Sequence, residues 1–229
     1  FGGSKPPQNE KSYFMPKSPY GAAKLYGHWI TRIYRESYGL FACSGILFNH
    51  ESPIRGETFV TKKIAKSVGE YFKGSKKILQ LGNLDAKRDW GHAKDYVRMM
   101  WMILQAKQAE DWVIATGKTT TVREFVIKAF KCAGIDIEFK GKGIDEKGYV
   151  VSCSNPKYQI EKGKEIIAVD PKYFRPTEVD LLIGDPSKAN SKLGWKAKYN
   201  LDDLINEMME SDLKNMTKDQ YLKDGGYTI

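Results

Sequence analysis

Three features of the sequence predict an α/β fold. Short apolar runs, such as Phe41–Phe48 and Trp112–Ala115, alternate with longer amphipathic stretches. Those runs are nearly continuous, which suits strands buried in a parallel sheet. Glycines close the amphipathic stretches at Gly39, Gly74 and Gly134, where helix stops are expected. The balance of 41% hydrophobic and 28% charged residues among 229 is that of a folded chain.

The elements follow in order. Residues 1–17 form a polar, proline-containing lead. Ser18 is a good N-cap and Pro19 suits the first helical position, so a helix is predicted over 19–37, with Leu25, Trp29, Ile33 and Tyr34 at helical spacing. A buried strand is predicted over 41–48 and a polar loop over 49–57. An amphipathic helix is predicted over 59–72 and a strand over 78–81. Residues 82–93 read as a polar segment. Helix 94–107, strand 112–115, helix 121–133 and a short strand at 135–139 come next. The Gly- and Lys-rich stretch 140–164 reads as a mobile insertion. A strand over 166–169 leads into Tyr173–Glu178. Helices over 185–193 and 201–215 precede a polar tail over 218–229 that is expected to fray.

Net charge is +9. The lysines are scattered, and no nucleic-acid motif or zinc-finger spacing accompanies them, so nucleic acid is not an expected partner. They are either a solvated surface or, in a few cases, cations that meet a phosphate-bearing ligand. Cys43, Cys132 and Cys153 are an odd set without a CxxC pair, which argues for reduced thiols and against a disulfide scaffold or a metal site. No apolar run reaches membrane-spanning length and no signal peptide opens the sequence. The expectation is a cytoplasmic protein without a membrane partner.

The residues that point to chemistry lie in four blocks. Ser18–Lys24 places Tyr20 and Lys24 four apart at a helix start, hence on one face. An ammonium beside a phenol favours the phenolate, the form a proton acceptor needs. The alternative is an ordinary exposed helical pair. Phe48–Gly56 follows a buried strand at its carboxyl end, where ligands bind in open α/β sheets. It offers Asn49, His50, Glu51 and Arg55 as a set, though each alone is compatible with a turn. Leu81–Val97 contains Arg88, whose planar fork can clamp a phosphate. Asp89, Trp90 and His92 in that block are equally helix-start and packing residues. Tyr173–Asp180 contains Arg175 in extended backbone before a proline, and Glu178. These two can meet a diphosphate and a ribose, or simply pair with each other. No Gly-rich dinucleotide turn follows a strand anywhere, so the chain reads as the later part of a nucleotide-binding enzyme.

Taken together the blocks resemble the GDP-mannose 4,6-dehydratases, a family of the extended short-chain dehydrogenase/reductase superfamily. The segments Asn49–Gly56 and Gly82–Val97 are the specific ones, and Tyr20 and Lys24 form the superfamily's Tyr-x-x-x-Lys dyad. The resemblance covers nearly the whole chain, most loosely at 140–164. It implies the carboxyl-terminal part of a Rossmann-type doubly wound parallel sheet, over 1–54 and 78–116. A smaller α/β nucleotide-sugar-binding domain would comprise 55–77 and 117–229. The implied activity is dehydration of GDP-D-mannose to GDP-4-dehydro-6-deoxy-D-mannose through an internal redox cycle of tightly held NADP.

By the same resemblance Tyr20 takes the sugar 4-hydroxyl proton, while Lys24 supports it and binds the nicotinamide ribose. His50 and Arg55 would be further cofactor contacts. Asn49, Glu51, Lys63, Arg88, Arg175 and Glu178 would be substrate contacts. GDP-mannose is the implied partner, with a dimer or tetramer of identical chains. The family's catalytic Thr and Glu lie just upstream of an aromatic-Gly pair to which Phe1-Gly2 corresponds. They and the Gly-rich turn are therefore expected upstream, separately encoded or lost. The competing readings are a non-catalytic fragment that binds nucleotide sugar or joins an oligomer, and another sugar-nucleotide dehydratase or epimerase.

Overall fold

A computed structural model describes residues 1–158, 160–173, 179 and 181–226, with Gln220 by its backbone. In chain order the elements are α1 (Pro19–Tyr38), β1 (Ser44–Leu47), β2 (Asn49–Glu51), α2 (Val60–Phe72), β3 (Leu79–Leu81), β4 (Lys87–Arg88), β5 (Trp90–His92), α3 (Ala93–Leu104), β6 (Asp111–Ile114), β7 (Thr120–Thr121), α4 (Val122–Cys132), β8 (Ile135–Lys140), β9 (Lys147–Cys153), β10 (Glu165–Val169), β11 (Leu181–Leu182), α5 (Ser187–Leu193) and α6 (Leu201–Asp224). The chain divides into two compact units.

The first unit comprises Phe1–His50, Ala86–Thr121 and Arg175–Leu201. Its centre is the parallel pair β1 and β6, in register from Ser44 with Asp111 to Leu47 with Ile114. On one side Trp112 and Ile114 pack with Tyr96, Met99 and Ile103 of α3 and with Ala189 and Trp195. On the other, Val113 and Ala115 pack with Phe48, joined by Phe1, Ile46 and Leu182. Two small sheets accompany the pair: β11-β4-β7, and β2 with β5. The apolar run 41–48 is strand only from Ser44. Upstream of it, the Ala42 carbonyl accepts from Arg35 and the Ala42 N–H turns back to Leu40, so these groups are not free for a ladder.

The helix α1 begins where the sequence predicts. Ser18 Oγ accepts from Gly21 N at 3.1 Å, Pro19 occupies the first turn, and Gly39 closes the helix at φ +64°. No residue of α1 is buried. Its ties within this unit are made by side chains. Arg35 meets Asp111 through both terminal nitrogens, at 2.9 and 3.2 Å, and the His28 ring lies 4.8 Å from that of Phe14.

The second unit comprises Glu51–Asp85, Val122–Phe174 and Asp202–Ile229. Its sheet runs β3-β10-β9-β8, with β10 parallel to β3 and antiparallel to β9. Ile64, Val68 and Tyr71 recur at helical spacing along α2 and are fully buried, as are Phe125, Val126 and Phe130 of α4. In α6, Leu204, Ile205, Met208 and Met209 are buried likewise.

Three expectations are corrected here. The stretch 140–164 contains a sheet strand, β9, which forms a hairpin with β8 from Ile135 with Cys153 to Lys140 with Lys147. Its turn uses Gly141 at φ +89°, open to glycine at little steric cost. Within 82–93, residues 87–88 and 90–92 form β4 and β5, too short to show alternation. The boundaries between the units also differ from those expected. Residues 79–81 belong to the second unit because β3 pairs with β10, and residues 181–201 to the first because β11 pairs with β4 and Trp195 joins the core.

Candidate active site

Each unit carries part of the predicted site. In the first, Tyr20 and Lys24 lie on the opening turns of α1, with the Lys24 ammonium 5.6 Å from the centre of the Tyr20 ring. The Tyr20 side of the pair is open, the residue being 72% exposed. Among the described residues Lys24 has no acidic partner, so its charge is available to an anionic ligand.

The strand end beyond β1 presents Asn49 and His50. The His50 Nδ1 lies 2.9 Å from the Phe48 carbonyl, and the ring stacks on Tyr96 at 4.9 Å. A carbonyl only accepts, so Nδ1 carries the hydrogen and the tautomer is fixed, leaving Nε2 as the acceptor. Asn49 sits beside it on β2, half-buried.

Arg88 on β4 donates to the Val179 carbonyl at 2.7 Å and to that of Lys87 at 2.9 Å. The next residue, Asp89, is completely buried. Its Oδ1 accepts from Thr116 N at 2.9 Å and Thr116 Oγ1 at 2.6 Å, and its Oδ2 from Gly117 N at 2.9 Å and Gly184 N at 3.3 Å. Burial pushes this carboxyl above its usual range, and the four donors pull it back in part. His92 is buried and caps α3, its Nδ1 accepting from Lys94 N at 3.1 Å, with its ring 4.4 Å from Tyr199. The packing role is therefore the one it fills.

In the second unit, Glu51, expected as a substrate contact, instead turns inward. It is 3% exposed, and its Oε2 accepts from Thr61 Oγ1 at 2.9 Å and lies 2.9 Å from Arg55 Nε. Burial raises the Glu51 carboxyl above its ordinary value, opposed by the Arg55 charge and the Thr61 hydrogen bond. The Arg55 guanidinium also lies over Phe59, 3.4 Å from the ring centre. Lys62 is buried, donating to the Pro53 carbonyl at 2.9 Å and pairing with Asp212 of α6. Lys63, one residue on, places its ammonium 3.8 Å from the centre of the Tyr173 ring. Arg175 and Glu178 lie outside the described residues.

Among the supporting residues, Asp89 reads from sequence as a helix-start or packing residue, while Thr61, Phe59, Asp212 and Tyr173 carry no signal of their role. Tyr173 stood inside a noted block and Phe59 near one. Asp212 lies 150 positions from Lys62, with no local signal to join them. A groove of about 580 Å³ between Phe72, Tyr158, Leu213 and Tyr221 holds none of the predicted residues. Among the described residues no group of His, Cys, Asp or Glu is arranged to hold a metal ion, and no helix is long and apolar enough to cross a membrane.

Comparison with known proteins decides the family. The model of the GDP-mannose 4,6 dehydratase family matches residues 1–208. The chain belongs to the GDP-mannose 4,6-dehydratase family. It is 54% identical over 224 residues to the GDP-mannose 4,6-dehydratase of Yersinia enterocolitica, covering 97% of this chain and 60% of that protein. It is 53% identical over 210 residues to the human GDP-mannose 4,6 dehydratase, covering 92% of this chain and 54% of that one. This member of the family thus spans little more than half the length of these curated relatives. Solved structures share the fold at low identity. RMD from Pseudomonas aeruginosa, complexed with NADPH, superposes with a TM-score of 0.71 at 17% identity, over 91% of this chain and 60% of that one. The dTDP-glucose 4,6-dehydratase of Bacillus anthracis, in complex with NAD, gives 0.68 at 19%, over 92% and 57%. The Rossmann-type α/β class expected of the family is the class found.

Proposed function

We propose that this chain forms part of an enzyme that dehydrates GDP-D-mannose to GDP-4-dehydro-6-deoxy-D-mannose, with NADP as the resident cofactor. The observation that carries this reading is the 54% identity over 224 residues to a GDP-mannose 4,6-dehydratase, a span that includes the dyad. Two cations suit phosphate-bearing ligands: in the first unit Lys24, beside the Tyr20 ring and without an acidic partner among the described residues, and in the second Arg55, whose charge is shared with Glu51. When bound, NADP would supply the acceptor and donor of hydride.

This chain's residues supply part of the rest, the catalytic Thr and Glu of the family not being among them. Tyr20 accepts the proton of the sugar 4-hydroxyl, and Lys24 supports it and binds the nicotinamide ribose. His50, with Nδ1 held by the Phe48 carbonyl, would offer Nε2 as a cofactor contact. Asn49, Lys63, Arg88, Arg175 and Glu178 bind the nucleotide sugar. Their amide, cationic and carboxylate groups match a sugar, a diphosphate and a ribose respectively. The protein works as an oligomer of identical chains in the cytoplasm.

The test is turnover of GDP-mannose by the native protein carrying this chain. Tyr20→Phe removes the proton acceptor and is expected to lower kcat by roughly 10²–10⁴-fold with little change in GDP-mannose affinity. UDP-sugars assayed in parallel should not be converted, and their conversion would transfer the reading to another sugar-nucleotide enzyme.

A further inference from the structure

The segment from Glu51 to Thr61 contains a charge arrangement that its loop character does not explain. A carboxylate only 3% exposed is held by one hydroxyl and one guanidinium, both from its own segment. Thr61, which donates the hydroxyl, is itself fully buried. Ionising a buried carboxylate is costly unless it is paired. The loop is stiffened further by Arg55 N donating to Ser52 O at 3.0 Å and by Lys62 holding the Pro53 carbonyl at 2.9 Å.

The consequence falls on Arg55. Its Nε is buried 2.9 Å from Glu51 Oε2 in an ion pair that makes no hydrogen bond, and its flat face is covered by Phe59, 3.4 Å from the ring centre. Among the described residues neither terminal Nη has a protein partner. A guanidinium held at one edge by an opposite charge and at one face by a ring, with its Nη pair uncommitted, is a preorganised fork for a phosphate ester. An arginine without such supports loses rotamer entropy when it binds, and that cost weakens the contact.

We propose that Glu51 is a positioning residue: it presents the Arg55 fork to a phosphate group of the dinucleotide, and does not itself touch the ligand. This rests on the reading of Arg55 as a cofactor contact. The test is the dissociation constant of NADPH, measured by nucleotide fluorescence on the native protein carrying this chain, with thermal unfolding recorded for each variant. Arg55→Ala should raise Kd about 10-fold or more, the size of a charge-assisted contact. Glu51→Gln should raise it about 5-fold or more, Glu51→Asp less, and the double variant Glu51→Gln/Arg55→Ala no further than Arg55→Ala alone. Phe59→Leu alters an exposed ring and leaves the buried carboxylate intact. It should raise Kd about 2-fold, also only when Arg55 is present.

Multiplying effects in the double variant, or an unchanged Kd for Glu51→Gln beside a weakened Arg55→Ala, would overturn the positioning role while leaving Arg55 a cofactor contact. An unchanged Kd for Arg55→Ala would instead overturn the cofactor reading of Arg55, and the proposal with it. If Glu51→Gln fails to fold, additive effects of Phe59→Leu and Arg55→Ala would equally overturn the preorganised fork.

Discussion

The dyad helix and the Glu51–Lys63 segment place their candidate groups by opposite means. The 20 residues of α1 include no buried side chain, and its aromatic residues Tyr26 and Tyr38 are 69% and 70% exposed. Tyr20 and Lys24 owe their geometry to helix spacing alone. Glu51–Lys63 instead sets Arg55 through a buried carboxylate, and Lys62 reaches 150 positions along the chain to Asp212. Local periodicity is enough to align two groups on one face, whereas fixing a guanidinium needs groups withdrawn from water on several sides.

This contrast can be broken by experiment. The largest effect is expected at the dyad's own chemistry. In the native protein, Lys24→Met should lower kcat by roughly 10²-fold or more while leaving thermal unfolding within a degree or two, because Lys24 holds nothing in the fold. A large loss of stability would show that α1 is braced through this residue.

The second test uses one substitution in two settings. Ile64→Ala in α2 removes a fully buried side chain and should cost about 2–5 kcal/mol. Ile33→Ala in α1, where the residue is 47% exposed, should cost about 0.5 kcal/mol or less by denaturant unfolding. Equal costs would contradict the difference between the helices.

The third concerns Asp89. An asparagine there can turn at most its carbonyl toward the four donors, leaving donor against donor, so Asp89→Asn should destabilise by about 1–3 kcal/mol. Asp89 is also held above its usual carboxyl range, so its contribution is complete at low pH and is lost as pH rises through that raised value. The penalty of Asp89→Asn should therefore not grow as pH rises.

The smallest effect has the opposite sign. Burial opposes ionisation of Asp111, but its Arg35 hydrogen bonds and charge prevail and hold the carboxyl below its usual value. Its stabilisation is complete above the ordinary carboxylate range and is lost as pH falls through the lowered value. The stability difference between the wild type and Asp111→Asn, about 1 kcal/mol near neutrality, should shrink steadily below about pH 4.

What the sequence makes legible is local. Ser18, Pro19 and Gly39 bound α1, and Gly134 ends α4, because caps act within a turn of the residues they serve. The parallel strands β1 and β6 are readable as apolar runs. In the β8–β9 hairpin only β8 is readable, over 135–139; β9 is not, since Lys147 and Gly148 mask a ladder whose buried positions are Gly148 and Val150. Of the candidate site, Tyr20, Lys24, His50 and Arg55 are visible in motifs. The inward turn of Glu51 and the braces at Asp89 and Asp212 are not, because they depend on partners brought together only by the folded chain.

If Tyr20 is the proton acceptor of a GDP-mannose dehydratase, one comparison in the native protein decides it: product formation from GDP-mannose by wild type and Tyr20→Phe at equal substrate occupancy. The wild type should give a 4-keto-6-deoxy product and the variant should lose roughly 10²–10⁴-fold, with bound GDP-mannose unchanged. Turnover by Tyr20→Phe at the wild-type rate would contradict it.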